Sequence, residues 1–150
     1  MGRGSAGDRL VLPARRRSRQ DRPLRRFVSP RSAELLARAR EGVASARTLV
    51  DAGHAATAIS TAYYAMLYGA RAALSERDRH ARSHAGSWAL FREEFVLTGE
   101  FDAGLAQAAQ RAQARREASD YAAESFELSE AQELVGTAER FIAAIEALVG

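Results

Sequence analysis

Cysteine is absent from the 150 residues, which removes disulfides and thiolate chemistry and fits a reducing cytoplasm. Lysine is absent too: all 22 basic residues are arginine, which beside abundant alanine and glycine reads as the coding bias of a GC-rich genome. No apolar run approaches the roughly 18 residues of a membrane span. The arginine-rich start is not followed by the apolar block of a secretory signal. No alternating β pattern and no Asn-Gly or Asp-Gly hairpin signal occurs. Walker, dinucleotide-binding, zinc-protease and nucleophile-elbow motifs are also missing. The histidines, His54, His80 and His84, are too few and too scattered to propose a metal site, so neither metal nor cofactor is expected.

What remains is an ordinary globular composition, 47% apolar and 27% charged, with length for one good core. The net charge of +3 hides an asymmetry. Residues 1–30 hold nine arginines against two acids, whereas residues 31–150 hold 13 arginines against 17 acids. The basicity therefore belongs to the start of the chain, and the body is mildly acidic. Residues 1–28 lack a sustained period and carry the Arg15-Arg16-Arg17 cluster, so a disordered tail is expected there. Such an arm is either simply solvated or binds phosphate backbones non-specifically.

Residues 29–150 read as helical throughout. Ser29-Pro30 caps a first helix running to about Ala52, with Leu35, Leu36, Val43, Ala46, Leu49 and Val50 inward and Gly53 as its stop. A second helix, about His54 to Ser75, turns Ile59, Ala62, Tyr63, Met66, Ala70, Ala73 and Leu74 inward. After a polar loop, Ser83 caps a third helix to Thr98 bearing His84, Trp88, Phe91 and Phe95 on one face. A fourth runs from about Asp102 to Tyr121. Ser129 and Gln132 form a capping box for the last, whose seam is Leu134, Ala138, Phe141, Ile145 and Leu148. The expected fold is all-α, an up-and-down antiparallel bundle of about five helices. A second apolar face on the last helix, Val135, Ile142 and Val149, hints at a dimer.

The residue that stands out is Arg116. At 100° per residue, Leu105, Ala108, Ala109, Ala112 and Arg116 fall within about 60° of one meridian. A small apolar stripe that should face a neighbouring helix thus ends in a guanidinium. Buried arginine needs a partner, so Arg116 is either a structural ion-pair member, with Asp120 one turn on, or a group lining a cleft. Arg115 points about 100° away, toward solvent. His84 follows an N-cap serine, where the helix dipole disfavours the imidazolium. Neutral, it can accept one hydrogen bond and donate another. Tyr64 and Tyr68 are i,i+4 neighbours with Arg71 beyond, an arrangement that either packs a seam or stacks a base.

Several segments in series resemble the HEPN domain (higher eukaryotes and prokaryotes nucleotide-binding), in particular its small stand-alone UPF0332-type members. They are Ala62-Tyr63-Tyr64-Ala65-Met66-Leu67-Tyr68 with Ala70-Arg71-Ala72-Ala73-Leu74, then Ser83-His84-Ala85-Gly86, then residues 90–99, then Arg116-Glu117-Ala118-Ser119-Asp120-Tyr121. The likeness spans about residues 33–149. It implies a four- to five-helix bundle, usually a homodimer, associated with a minimal nucleotidyltransferase in a two-gene, toxin–antitoxin-like module. Many HEPN proteins are metal-independent ribonucleases that use Arg, four to six residues, then His. In this chain Arg116 is present, but Tyr121 stands five residues on where that pattern has histidine.

Three functions are compatible with these residues. The first is a nucleotide- or RNA-associated binding component using Arg116, Asp120, Tyr121, Tyr64, Tyr68 and Arg71. The second is a metal-independent endoribonuclease with Arg116 at the phosphate and His84 or Tyr121 moving protons. The third is a purely structural helical dimer. All three place the protein in the cytoplasm, away from membranes.

Overall fold

Pro30 stands at the first helical position, and the Ser29 Oγ accepts the Ser32 backbone N–H at 3.1 Å, so helix α1 (Pro30–Asp51) starts on a proper cap. The computed structural model of the chain describes residues 29–121 and 126–150, the side chains of 119 and 121 excepted. The basic tail expected over 1–28 lies outside the described residues. Helix α1 ends where Gly53 adopts φ +85°, a left-handed turn that glycine alone takes without strain. The backbone N–H of His54 then donates to the Leu49 carbonyl at 2.8 Å, and the chain reverses into α2 (Ala55–Ser75).

Helix α2 is the centre of the molecule. It packs against α1, α3 (His84–Phe91), α4 (Ala103–Tyr121) and α5 (Leu128–Val149). All seven residues expected inward on α2 are buried, and so are Ala58, Ala65, Leu67 and Ala72 on its other sides. A helix packed against four neighbours must have small residues where they come close. At Gly69 an added Cβ would lie 2.7 Å from the Ile142 Cδ1 of α5, so a larger residue would make the end of the Ile142 side chain shift.

The third element departs from a uniform helix. After α3 the residues Arg92–Val96 form one π-helical turn, in which the Leu97 N–H reaches the Arg92 carbonyl at 2.9 Å. This wider turn stacks Phe91 and Phe95 with ring centroids 5.2 Å apart, and Phe91 also meets Phe101 at 4.9 Å. Trp88 and Phe141 complete the aromatic core, 6.0 Å apart. Each such ring contributes about 1.5–3 kcal/mol by leaving water.

Two expectations about α5 need correction. The helix begins at Leu128, with Glu127 as N-cap and no side-chain cap bond, so Ser129 lies inside the first turn and the Ser129–Gln132 capping box does not form. Instead the entry is held by Arg115 of α4, whose guanidinium makes a fork with Glu130 at 2.6 and 3.1 Å and covers the Phe126 ring. Nor is the second apolar face left for a dimer. Val135 and Ile142 are buried within the chain, because α5 lies against α1, α2 and α4 together and needs a broader apolar face than a two-helix seam. Leu134 and Leu148, expected in the seam, are only partly buried.

The fold is the expected antiparallel all-α bundle of five helices, with no strand among the described residues. Arg47 of α1 and Glu139 of α5 clamp its outside at 2.8 and 3.1 Å. No helix is long and apolar enough to cross a membrane among the described residues.

Candidate functional site

The stripe on α4 does what its spacing requires. Ala109 and Ala112 are fully buried against α2, Leu105 and Ala108 partly so, and one turn later Arg116 arrives over the same helix. Its side chain keeps only 11% exposure. The guanidinium lies over two rings of α2, 5.3 Å from the Tyr64 centroid and 5.6 Å from that of Tyr63. On its flank Nη1 donates to the Asp120 Oδ2 at 2.9 Å, with Glu117 at 3.8 Å. Burial opposes the charge, but the Asp120 hydrogen bond, Tyr64 and the two carboxylates outweigh it and hold the group above its ordinary pKa. Arg116 is a permanent cation, shielded by tyrosine on one side and carboxylate on the other.

His84 reaches the same place from the N-terminus of α3. The Ser83 Oγ caps that helix by accepting the Gly86 N–H at 2.9 Å, which sets the imidazole against α2. His84 meets the Tyr63 ring at 5.7 Å and the Tyr64 ring, edge to face, at 5.6 Å. Its Nδ1 is 3.2 Å from the Tyr63 hydroxyl, and the Trp88 indole N–H donates to that hydroxyl at 3.1 Å. Indole can only donate, so it occupies an acceptor position of the phenol. The arrangement that uses every group then has the phenolic O–H donating to Nδ1 of a neutral imidazole, leaving Nε2 as the N–H. Burial first, then the cations of Arg71 and Arg116, hold His84 below its ordinary value of 6.5. The dipole argument gave the same direction from a different cause. Burial in turn pushes the Tyr63 phenol up, so it stays protonated at neutral pH.

Four sequence candidates, Arg116, Asp120, Tyr64 and His84, thus converge on one face made by α2, α3 and α4. Arg71 and Tyr68 are placed otherwise. Arg71 turns to the α3 N-terminus, with Nε donating to the Ser87 Oγ at 2.9 Å and Nη2 to the Arg82 carbonyl at 3.1 Å. The cation over Tyr68 is instead Arg38 of α1, at 4.9 Å. Tyr64 and Tyr68 pair at 6.4 Å, while the Arg71 guanidinium is held by oxygen acceptors at the start of α3. Arg115, expected in solvent, is paired with Glu130. The backbone of Tyr121 closes α4, and its side chain lies outside the described residues. Tyr63 is the residue that sequence reasoning missed. Its core position was readable, but its linkage to His84 and Trp88, 21 and 25 positions away, left no local signal. His54 caps α2 exposed and His80 sits exposed in the α2–α3 loop, both remote from this face.

The family model of the HEPN domain matches residues 32–148. The chain belongs to the HEPN family. Among its relatives is a UPF0332 protein of Gloeobacter violaceus, 29% identical over 117 residues that make up 77% of this chain and 93% of the relative. A UPF0332 protein of Thermotoga maritima is 32% identical over 113 residues, 75% of this chain and 86% of the relative. A third, from Methanocaldococcus jannaschii and named as a candidate toxin, is 27% identical over 88 residues, 59% of this chain and 60% of that protein. All the residues of the Arg116 face fall inside the HEPN match.

Proposed function

We propose that this HEPN protein is the nucleotide- or RNA-binding component of a toxin–antitoxin-like pair in the cytoplasm, acting as a homodimer beside a minimal nucleotidyltransferase. The observation that carries the binding reading is the His84 hydrogen bond. In the tautomer we infer, with the Tyr63 O–H donating to Nδ1, the outer nitrogen carries the proton and is a donor, not a base. A donor beside Arg116, with the Tyr64 ring between them, suits a phosphate oxygen and a stacked base. Deprotonating a 2′-hydroxyl there would first require the imidazole to change tautomer. The relative named as a candidate toxin supports the toxin-like setting. Leu97, exposed at 63% beside a groove formed by the π turn and α4, supports the dimer in place of the buried residues of α5.

The metal-independent ribonuclease is the second reading, favoured by a neutral imidazole and a guanidinium meeting over the same two tyrosines. One experiment separates the readings. Single-stranded RNA is incubated without metal with the protein and with Arg116→Ala, and both binding and cleavage are followed. Binding that weakens about tenfold in the variant, the loss of one charge-assisted contact, with intact RNA throughout, is the expected result. Cleavage by the wild-type chain that vanishes with Arg116→Ala establishes the ribonuclease instead. RNA that neither binds nor is cut leaves the structural dimer.

A further inference from the structure

A second cationic feature lies away from the Arg116 face, where the α2–α3 loop (76–83) closes over the first turns of α1. Asp78 adopts φ +57° there, and the Arg79 backbone N–H turns back to the Leu74 carbonyl at 3.0 Å, so the loop folds against the end of α2. It borders an open hollow of about 700 Å³. Arg31 of α1, Arg71 of α2, and Arg79 and Arg82 of the loop line it over a floor of Leu35 and Leu74, with no carboxylate among its described lining residues.

Local compensation is incomplete. Arg79 pairs with Glu94 and Glu93 of the π turn. Arg71 is held by neutral oxygens, those of Ser87 and of the Arg82 backbone. Glu76, at the end of α2, accepts the Ser29 backbone N–H. Among the described residues, no carboxylate pairs with Arg31, Arg71 or Arg82. Guanidiniums gathered in a concavity with apolar walls raise the local potential and draw in anions.

We propose that this cavity is a binding site for a small ligand bearing a di- or triphosphate group, with its phosphates on Arg31, Arg71 and Arg82 and its less polar part on Leu35 and Leu74. The cations come from three elements and converge on one hollow, which suits charge concentrated on a few neighbouring oxygens. An extended nucleic-acid backbone spreads its charge along a track instead. Planar guanidiniums meet phosphate oxygens two at a time, which adds direction to the charge. Arg71 links the cavity to the Arg116 face, since its charge also bears on His84, but the proposal does not rest on the function proposed for that face.

The test is calorimetric titration of the full chain with inorganic tripolyphosphate and with ATP. Four variants are compared: Arg31→Glu with Arg82→Glu, Arg82→Ala alone, Arg47→Ala, and Arg116→Ala. Arg31 and Arg82 are exposed, and thermal midpoints verify that each variant is folded. Saturable binding is expected for both ligands in the wild type, weaker by about tenfold or more in the double variant. Arg82→Ala should weaken it less. Arg47→Ala, on the outside of the bundle and lining neither site, should leave it unchanged. Arg116→Ala removes only what ATP binds at the other face and should leave tripolyphosphate binding saturable. Absence of saturable binding, or binding indifferent to the double variant, overturns the proposal. Loss of tripolyphosphate binding with Arg116→Ala assigns the ligand to the other face and overturns the proposal. Binding of single-stranded RNA alone, weakened by the double variant, makes the cavity part of an RNA track and equally overturns it.

Discussion

The two cationic regions of this HEPN protein hold their charge in opposite ways. Arg116 is shielded at once, by two tyrosines and by Asp120, and its side chain is nearly buried. The arginines around the α2–α3 loop are gathered in a hollow where, among the described residues, only Arg79 is paired with carboxylates, those of Glu93 and Glu94. A shielded cation discriminates by geometry, because a ligand must fit among the groups already packed around it. A clustered, uncompensated group attracts by charge, and its binding should fall more steeply with salt. Charge count alone does not separate these roles; the partners of each guanidinium do.

The comparison is broken most severely at Tyr63, which belongs only to the shielded region. Tyr63→Ala should cost about 3–5 kcal/mol in urea unfolding, the range for emptying a buried aromatic site, and it removes the ring beneath Arg116. Tyr63→Phe is the finer cut. It keeps the packing, leaves the Trp88 N–H without its phenol acceptor, and should cost about 1–3 kcal/mol. A Tyr63→Phe unfolding curve that superimposes on that of the wild type would deny the hydroxyl any structural role.

Next comes pH. The folded pKa of His84 lies below the unfolded value, so at intermediate pH the unfolded chain binds more protons and stability rises with pH. The contribution of neutral His84 is complete above about 6.5 and is lost as pH falls from there through the folded value. Thermal midpoints of wild type and His84→Gln should therefore converge on acidification. Parallel pH profiles for the two proteins would contradict this. The smallest effect belongs to Arg115→Ala, whose half-exposed pair with Glu130 should yield only about 0.2–1 kcal/mol in the same unfolding assay.

The sequence carried the helices and their faces well, and for a physical reason. On α2 the spacing of Ile59, Ala62, Tyr63, Met66, Ala70, Ala73 and Leu74 is a record of burial, and every one of them is buried. The inward turn of Arg116 followed from the same 100° step. Three things did not follow. The π turn at Arg92–Val96 has no residue signature, though it brings Phe91 and Phe95 together as a tilted pair. Val135 and Ile142 read as a free face because a helix wedged among several neighbours looks, in one dimension, like a helix with an extra partner. The meeting of His84 with Arg116 depends on how α3 lies across α2, and no local pattern encodes that.

The account turns on which nitrogen of His84 carries the proton. Nitrogen-resolved NMR of the imidazole near pH 7 tests it directly. A proton on Nε2, with Nδ1 bare and shifted by its hydrogen bond from Tyr63, is the predicted result, and Tyr63→Phe should abolish that shift. A proton on Nδ1 with Nε2 bare would contradict the account, because His84 would then present a base beside Arg116 and the face would be built to cleave.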